Sequence, residues 1–271
     1  MLEKKIGFIG AGNMGTAIIQ GIISKFDGIN KNIFINDRDL SKTEKISKEF
    51  NINQSINNQE LVKNVDILIL AVKPNVYGKV LEEIKGFINE KHILVSIAAG
   101  ISIEFIQSFF KDPIKIIRTM PNTPALVGEG MTAVSKNTEI NDEELELVLK
   151  IFESLGMVDV IEEEMMDIIP AISGSSPAYV YMLIEAMADG GVLQGLPREK
   201  AYQYAAQAVL GAAKMVLETG KHPGELKDQV CSPGGTTIEA VYAMEKNHFR
   251  ATVIEGMEAC TMKARRMTES S

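Results

Sequence analysis

The chain has 271 residues, 45% of them hydrophobic and 24% charged, a composition typical of a packed globular protein rather than a disordered one. Its net charge of −8 argues against a nucleic-acid-binding surface, and no apolar run is long enough to cross a bilayer. The two cysteines, Cys231 and Cys260, lack metal-like spacing, and with only three histidines a metal site is not expected. Because the first predicted strand begins at Ile6, we expect no signal peptide. We therefore expect a soluble, cytoplasmic protein with no nucleic-acid or membrane partner.

The first half of the chain alternates short apolar runs with longer amphipathic stretches. The predicted strands are Ile6–Ile9, Asn32–Asn36, Val65–Val72, His92–Ala98, Lys115–Thr119, Met131–Ser135 and Met157–Ile161. The predicted helices are Asn13–Ser24, Ser41–Phe50, Val76–Phe87, Ile103–Phe110 and Asp142–Ser154. This alternation predicts an α/β fold with a Rossmann-type doubly wound parallel sheet, which we assign to a dinucleotide-binding domain of residues 1–166.

After Asp167 the pattern becomes helical, with predicted helices at Pro177–Leu193, Arg198–Leu217 and Thr237–Met267 and no evident strand. The first of these helices is apolar around most of its circumference and therefore needs burial on most sides. Three helices in a small domain provide little burial for one another. We therefore expect residues 167–271 to form an all-helical dimerisation domain that packs against a second subunit; packing against the first domain is the alternative.

The segment Gly10-Ala11-Gly12-Asn13-Met14-Gly15 directly follows the first predicted strand and opens a helix. In a dinucleotide-binding loop the first glycine permits the tight turn, the second admits the pyrophosphate and the third lets helix and strand pack closely. The position between strand and helix makes the motif specific, and it predicts cofactor contacts from Gly10, Ala11, Gly12, Asn13 and Met14. A plain strand–helix turn is the alternative.

The end of the second predicted strand carries Asp37 and Arg38 side by side. An acid here usually binds the adenosine ribose of NAD, whereas an arginine can hold the 2′-phosphate of NADP, so the cofactor is NADP or NAD. Because ligands of such sheets lie beyond the carboxyl ends of the strands, the cofactor is also expected near Val72 and Lys73 and near the segment 97–99, formed by Ile97, Ala98 and Ala99. Lys73 has an ordinary surface lysine as its alternative.

In the helical half, a turn containing Ser232, Gly234 and Gly235 leads into a predicted helix. Thr236 and Glu239 have capping-box spacing, which predicts Thr236 as the N-cap and Thr237 as the first helical residue. Accessible backbone N–H groups beside a helix N-terminus form a ready anion site, suited to a substrate carboxylate. A plain helix start is the alternative, as it is for the hydroxyl-rich segment 173–177.

The chain closely resembles the pyrroline-5-carboxylate reductase family. The resemblance is carried by Ile6–Met14, Ala71–Pro74, Met120–Pro124, Ser173–Tyr179, His222–Asp228 and Ser232–Ile238, which span nearly the whole chain in order. It implies a Rossmann domain followed by a helical domain that interlocks two subunits, often assembled further into decamers. It also implies hydride transfer from NAD(P)H to the ring C=N of 1-pyrroline-5-carboxylate, which gives L-proline in the last step of proline biosynthesis.

The resemblance also implies roles for individual residues. Thr237, with the backbone of Gly234–Thr236, should hold the substrate carboxylate or ring nitrogen, and Gln229 is a neighbour on the same loop. Asn58 should touch the adenosine side of the cofactor. The expected substrate site consists of Glu163, Gln229, Ser232, Gly234, Gly235, Thr236 and Thr237, with Thr237 as the catalytic residue and Glu163 as the weakest member, since it also fits a solvated surface charge.

Two features refine this interpretation. Family members that prefer NADPH commonly have a small hydroxylated residue where this chain has Asp37, so NADH use is open.

The predicted helix Pro177–Leu193 contains no lysine or histidine, which disfavours a hydroxy-acid reaction that needs a proton donor there. An imine can enter already protonated, so we hypothesise that Thr237 orients the iminium N–H or relays a proton through water. A reductase of another cyclic imine and a non-catalytic dinucleotide-binding protein are the remaining alternatives.

Overall fold

The computed structural model describes residues 4–269, which form two compact units. The first unit runs to Ser175 and regains the chain from Cys260 onward, and the second is Ser176–Ala259. None of the helices in the described range combines the length and apolar character that a membrane span requires.

The first unit is built around a sheet of eight strands in the order β3-β2-β1-β4-β5-β6-β7-β8. The strands are β1 Ile6–Ile9, β2 Ile33–Asn36, β3 Asn53–Gln54, β4 Ile67–Leu70, β5 Ile93–Ser96, β6 Lys115–Met120, β7 Gly130–Lys136 and β8 Gly156–Val160. The helices are α1 Asn13–Lys25, α2 Leu40–Phe50, α3 Asn58–Lys63, α4 Tyr77–Ile84, α5 Ile103–Gln107 and α6 Asp142–Phe152. The order of the first six strands is that of a doubly wound dinucleotide-binding fold, as the sequence predicted.

Alternation along β4 shows why the central strands are continuously apolar. Ile67 and Ile69 join the core cluster that contains Ile18 and Ile22 of α1, whereas Leu68 joins the cluster on the opposite face. Because successive side chains of a strand point to opposite faces, a strand covered by helices on both sides must be apolar at every position. All four residues of β4 are buried.

One strand pair departs from the predicted parallel arrangement: β6 and β7 are antiparallel. The connection between them, residues 121–129, contains only a 3-10 turn at Thr123–Val127. A parallel crossover needs about a dozen residues or more, usually with a helix, so this short connection returns the chain in the opposite direction. The remaining neighbours in the sheet, including β7 and β8, are parallel.

The second unit is helical throughout. Its helices are α7 Ser176–Leu193, α8 Arg198–Thr219, α9 Pro223–Val230, α10 Thr236–Lys246 and α11 Phe249–Glu269, the last of which continues into the first unit. The predicted helix Thr237–Met267 is wrong as a single element, because His248 adopts a left-handed φ of 61° that ends one helix before the next begins. The short helix α9 was not predicted.

The division between the units lies at Ser175, whereas the sequence placed the domain boundary after residue 166. The intervening segment is held by the first unit: the Nδ2 of Asn122 donates to the carbonyl of Ser173 at 3.0 Å. Asp167 is tied to the same unit through Arg118 of β6, at 2.7 Å. Residues from Cys260 onward return there because the hydroxyl of Thr268 donates to Asp167 at 3.0 Å. These contacts are long-range, so helical periodicity does not reveal them.

Candidate functional site

Four parallel strands end in register at one edge of the sheet. Ile9 of β1 lies opposite Asn36 of β2 and Leu70 of β4, and Leu70 lies opposite Ser96 of β5. The segments that follow these residues therefore emerge side by side. They are the glycine loop, Asp37 and the segments starting at Ala71 and Ile97, so the topology places the predicted cofactor residues along one edge.

Two of the loop's glycines are required by the chain's own backbone. Gly10 has a φ of +111°, and a Cβ there would lie 2.4 Å from the carbonyl oxygen of Ala71. A Cβ on Gly15 would lie 2.9 Å from the carbonyl oxygen of Gly10. These two glycines let the chain turn tightly from β1 and let α1 pack against the strand ends.

Gly12 is different, because nothing in the chain demands a glycine there. Its φ is −82°, and a Cβ would meet no atom within 4 Å. Gly12 is the N-cap of α1, and no side chain caps the helix. The first N–H groups of this 13-residue helix are thus left without a partner among residues 4–269. This arrangement fits the pyrophosphate of a dinucleotide, which the helix N-terminus and its dipole attract.

Asp37 is half-buried and its carboxylate is held from two sides. Its Oδ2 accepts a hydrogen bond from the backbone N–H of Ala11 at 2.8 Å, and its Oδ1 accepts one from the N–H of Asp39 at 2.9 Å. The neighbouring Arg38 is exposed and forms no ion pair or hydrogen bond with any residue in the range 4–269. Asp37 is therefore a fixed part of the glycine loop, whereas Arg38 is not.

Asn58, the predicted adenosine contact, is the first residue of α3. Its side-chain amide lies 2.6 Å from that of Asn36, the last residue of β2. Its Nδ2 also donates to the Oε2 of Glu83 on α4 at 3.0 Å. Asn58 thus lies beside the end of β2, with a carboxylate behind it.

The ends of β4 and β5 are supported by a buried hydroxyl pair. The Tyr77 hydroxyl donates to the carbonyl of Leu70 at 2.6 Å and accepts from the Ser96 hydroxyl at 3.1 Å. Burial raises the pKa of Tyr77, so its phenol stays protonated and remains a donor. Beyond this pair, Ala98 is buried, Lys73 is exposed, and Val72, Ile97 and Ala99 are partly exposed.

In the second unit, the predicted anion site is a tight turn that leads into α10. The N–H of Gly235 donates to the carbonyl of Ser232 at 3.0 Å, and Gly234 has a φ of +66°. With Pro233 at its second position, the turn has the features of type II. The turn thus favours glycine at 234 through its backbone conformation, while a Cβ on Gly235 would lie 3.1 Å from the Ser232 carbonyl oxygen and would displace the Ser232 hydroxyl.

The helix α10 begins one residue earlier than the sequence predicted. Its N-cap is Gly235, no side chain caps it, and Thr236 is its first residue. The predicted capping box of Thr236 with Glu239 is therefore wrong, because the glycine takes the extended cap conformation and moves Thr236 inside the helix. The consequence is that the N–H groups of the first turn, at Thr236 and Thr237, are left bare.

Thr237 is partly exposed, and its hydroxyl makes no hydrogen bond to any residue the structure describes. Gln229, at the end of α9, is exposed and bonds the Oε1 of Glu225 at 3.0 Å. The sequence predicted Gln229 on the loop itself, but it lies in the last turn of α9, just before the turn that begins at Ser232.

Glu163 lies in the first unit and is held there by internal partners. Its Oε1 accepts a hydrogen bond from the backbone N–H of Ile103, the first residue of α5, at 2.7 Å. The same atom lies 3.3 Å from the guanidinium of the buried Arg118. A structural role accounts for this carboxylate, and its contact with substrate stays a prediction.

Sequence reasoning missed Tyr77, Ser96 and Glu83. Tyr77 and Ser96 look like ordinary core positions in the sequence, and Glu83 like a solvated helix residue. Tyr77 and Ser96 reach this edge through the packing of α4 on the strand ends, and Glu83 through its hydrogen bond with Asn58.

A family model described as pyrroline-5-carboxylate reductase dimerisation matches residues 163–267, and one described as NADP oxidoreductase coenzyme F420-dependent matches residues 5–100. The pyrroline-5-carboxylate reductase of Escherichia coli K12 is 49% identical over 269 residues, covering 99% of this chain and 100% of the relative. That of Arabidopsis thaliana is 42% identical, covering 98% and 96%.

Solved structures agree. The Plasmodium falciparum pyrroline carboxylate reductase, solved with NADP bound, is 36% identical with a TM-score of 0.88, covering 99% of both chains. The Coxiella burnetii enzyme is 31% identical with a TM-score of 0.91, covering 98% of both chains. The sheet order and the bare glycine loop define a Rossmann-type protein with a dinucleotide site and an additional helical unit. Within that class, the chain belongs to the pyrroline-5-carboxylate reductase family.

Proposed function

We propose that this chain reduces 1-pyrroline-5-carboxylate to L-proline with NAD(P)H as hydride donor, the last step of proline biosynthesis. The similarity to the E. coli reductase, 49% identity over 269 residues, carries this proposal. The match extends over the segments of both the glycine loop and the turn before α10, which supports assigning them to cofactor and substrate.

In this proposal, the edge of the sheet in the first unit holds the cofactor. The loop Gly10–Met14 binds the pyrophosphate at the bare N-terminus of α1. Asp37 and Asn58 contact the adenosine side, and Lys73 meets a ribose or phosphate. The apolar residues Val72, Ile97, Ala98 and Ala99 provide close packing for flat rings. When bound, the reduced nicotinamide supplies the hydride.

The turn before α10 binds the substrate. Bare N–H groups at Thr236 and Thr237 donate hydrogen bonds to the substrate carboxylate, and Ser232, Gly234, Gly235 and Gln229 surround it. The Thr237 hydroxyl, which has no partner among residues 4–269, is available to orient the ring N–H.

The chemistry needs little more from the chain. The substrate enters as the protonated imine, the hydride adds to the carbon of the ring C=N, and the π electrons pass to nitrogen as its lone pair. No proton has to be delivered to an alkoxide, which agrees with the absence of lysine and histidine from α7.

Self-association belongs to the same proposal. The helical unit forms a homodimer, and the protein works in the cytoplasm without a nucleic-acid or membrane partner. Further assembly of the dimer into a decamer is part of the same proposal. Cys231 and Cys260 are both free, as is usual in a reducing compartment.

The test is a nicotinamide absorbance assay with 1-pyrroline-5-carboxylate, run in parallel with NADH and NADPH. We expect substrate-dependent oxidation of at least one cofactor, with stoichiometric formation of proline measured by chromatography. Absence of oxidation with both cofactors, in protein whose dimer and fold are intact, contradicts the proposal.

A further inference from the structure

We propose that Asp37 makes this chain prefer NADH over NADPH. The inference rests on the proposed function only for the presence of a nicotinamide cofactor. It concerns a single chemical difference between the two cofactors, the 2′-phosphate of the adenosine ribose, which adds about two negative charges near neutral pH.

The Asp37 carboxylate cannot swing away from this position without losing contacts. Both oxygens accept backbone N–H groups, one from Ala11 inside the glycine loop at 2.8 Å and one from Asp39 at 2.9 Å. Each oxygen keeps a further lone pair, and the side chain is only half-buried. A fixed, accessible carboxylate beside the loop is suited to accept hydrogen bonds from ribose hydroxyls and to repel a phosphate.

A second carboxylate increases this negative charge. Glu83 reaches the same strand end through Asn58, whose amide also contacts Asn36, the residue before Asp37. Neither Asp37 nor Glu83 forms an ion pair with a cation of residues 4–269, whereas the nearby Asp39 has Lys42 at 3.9 Å. Two carboxylates without an ion pair among these residues are therefore hydrogen-bonded near the end of β2, Asp37 to the glycine loop and Glu83 to Asn58.

Arg38 is the one residue that argues the other way. It is exposed, and no described residue fixes its guanidinium, so binding a phosphate would require ordering a long, flexible side chain. The preorganised group at this position is the acid, and we therefore expect it to outweigh the arginine.

The experiment measures cofactor binding, not turnover, by titrating the full chain with NADH and NADPH in a calorimeter. We expect NADH to bind at least about tenfold more tightly. Asp37→Asn removes the charge but keeps an oxygen for the Ala11 N–H, so it should lower the ratio of the two dissociation constants by about tenfold, mainly through tighter NADPH binding. Asp39→Asn removes an equal charge two residues away and should change the ratio by less than about twofold.

Tighter binding of NADPH by the wild-type chain, or an unchanged ratio in Asp37→Asn, overturns the inference. If the wild type binds NADPH more tightly and Arg38→Gln loses that binding, the arginine outweighs the acid and the inference is overturned. Because no imine is present in the titration, a chain that prefers NADH yet fails to reduce pyrroline-5-carboxylate contradicts the proposed function alone. A chain that reduces it equally well with both cofactors and binds both equally contradicts only the role of Asp37.

Discussion

Thr237 combines two donors in one residue, a backbone N–H in the first turn of α10 and a hydroxyl, and neither has a partner among the described residues 4–269. Replacing Thr237 with valine keeps the shape and the N–H but removes the hydroxyl. We predict that kcat/KM for 1-pyrroline-5-carboxylate falls by about 10- to 100-fold, the range for one hydrogen bond to a charged group, while cofactor affinity is unchanged. Steady-state kinetics and a separate cofactor titration measure the two effects.

The matched control for Thr237→Val is Thr236→Val, one position earlier on the same turn. Thr236 is exposed and lies at the first helical position, so its hydroxyl is not assigned to substrate. We expect less than about a threefold change in kcat/KM, because only a surface hydroxyl is lost. Equal losses in the two variants, or unchanged turnover and substrate affinity in Thr237→Val, would remove Thr237 from the catalytic site.

His92 makes stability depend on pH. The side chain is 1% exposed, its Nε2 lies 3.0 Å from the Val62 carbonyl, and its Nδ1 accepts the N–H of Asn89. Burial lowers the pKa of His92 below its ordinary value of 6.5, and the charge of Lys91 adds to this. Since the unfolded chain binds this proton more readily, His92 stabilises the fold above about pH 6.5, and that contribution is lost as the pH falls below it.

Denaturant unfolding between pH 5 and pH 7.5 tests this assignment. We expect the free energy of unfolding to decrease toward acid less steeply in His92→Gln than in the wild type, whatever the variant's stability at pH 7.5. Tyr77→Phe serves as the control, because it also disturbs a buried hydrogen bond but keeps His92. If both variants keep the wild-type slope, another group is responsible for the acid sensitivity.

At the scale of elements, one buried cation connects four parts of the first unit. The guanidinium of Arg118 on β6 is paired with Glu163 and Asp167, its side chain being 5% exposed. Glu163 also accepts the first N–H of α5, and Asp167 accepts the hydroxyl of Thr268 near the end of α11. The cluster therefore holds the end of α11 to the sheet.

We predict that Arg118→Leu destabilises the first unit by about 3–5 kcal/mol, because it leaves two carboxylates without their shared partner. Arg198→Leu is the matched control, since Arg198 pairs with Asp189 on the surface of the second unit. There we expect a loss of about 1 kcal/mol or less. Thermal or denaturant unfolding measures both, and similar losses in the two variants would mean that the buried cluster contributes no more than a surface pair.

The elements that the sequence predicted are those whose burial is local. Strands such as β4 are buried on both faces, so each appears as a continuous apolar run. The elements it missed, β3, α3 and α9, are short and largely polar, and they depend on partners elsewhere or on local caps such as the Asn57 side chain. The break at His248 was missed because a single left-handed residue leaves helical periodicity almost intact.

At the scale of the molecule, the candidate site also has parts that the sequence predicted and parts that it did not. The glycine loop and the turn before α10 were predictable, because each needs glycine at fixed spacing beside a helix start. The supporting contacts of Tyr77 with Ser96 and of Asn58 with Glu83, and the link from Arg118 through Asp167 to the end of α11, were not. Each joins residues far apart in sequence, and none of them uses a residue type that is unusual at its position.

The second unit provides the last prediction, because it buries little of itself. Its only fully buried side chains within Ser176–Ala259 are Ala188, Ala201 and Ala205, whereas Met182 of α7 is 69% exposed. So much exposed apolar surface indicates a protein–protein interface, and the family model described as dimerisation matches residues 163–267, which include this unit.

We predict that Met182→Glu weakens self-association by at least about 100-fold, the effect of burying an unpaired charge at an interface. Light scattering after size-exclusion chromatography measures the mass. Ile56→Glu, at a residue of the first unit that is 82% exposed, should leave the oligomer intact, and dissociation of both variants or of neither would place the interface elsewhere.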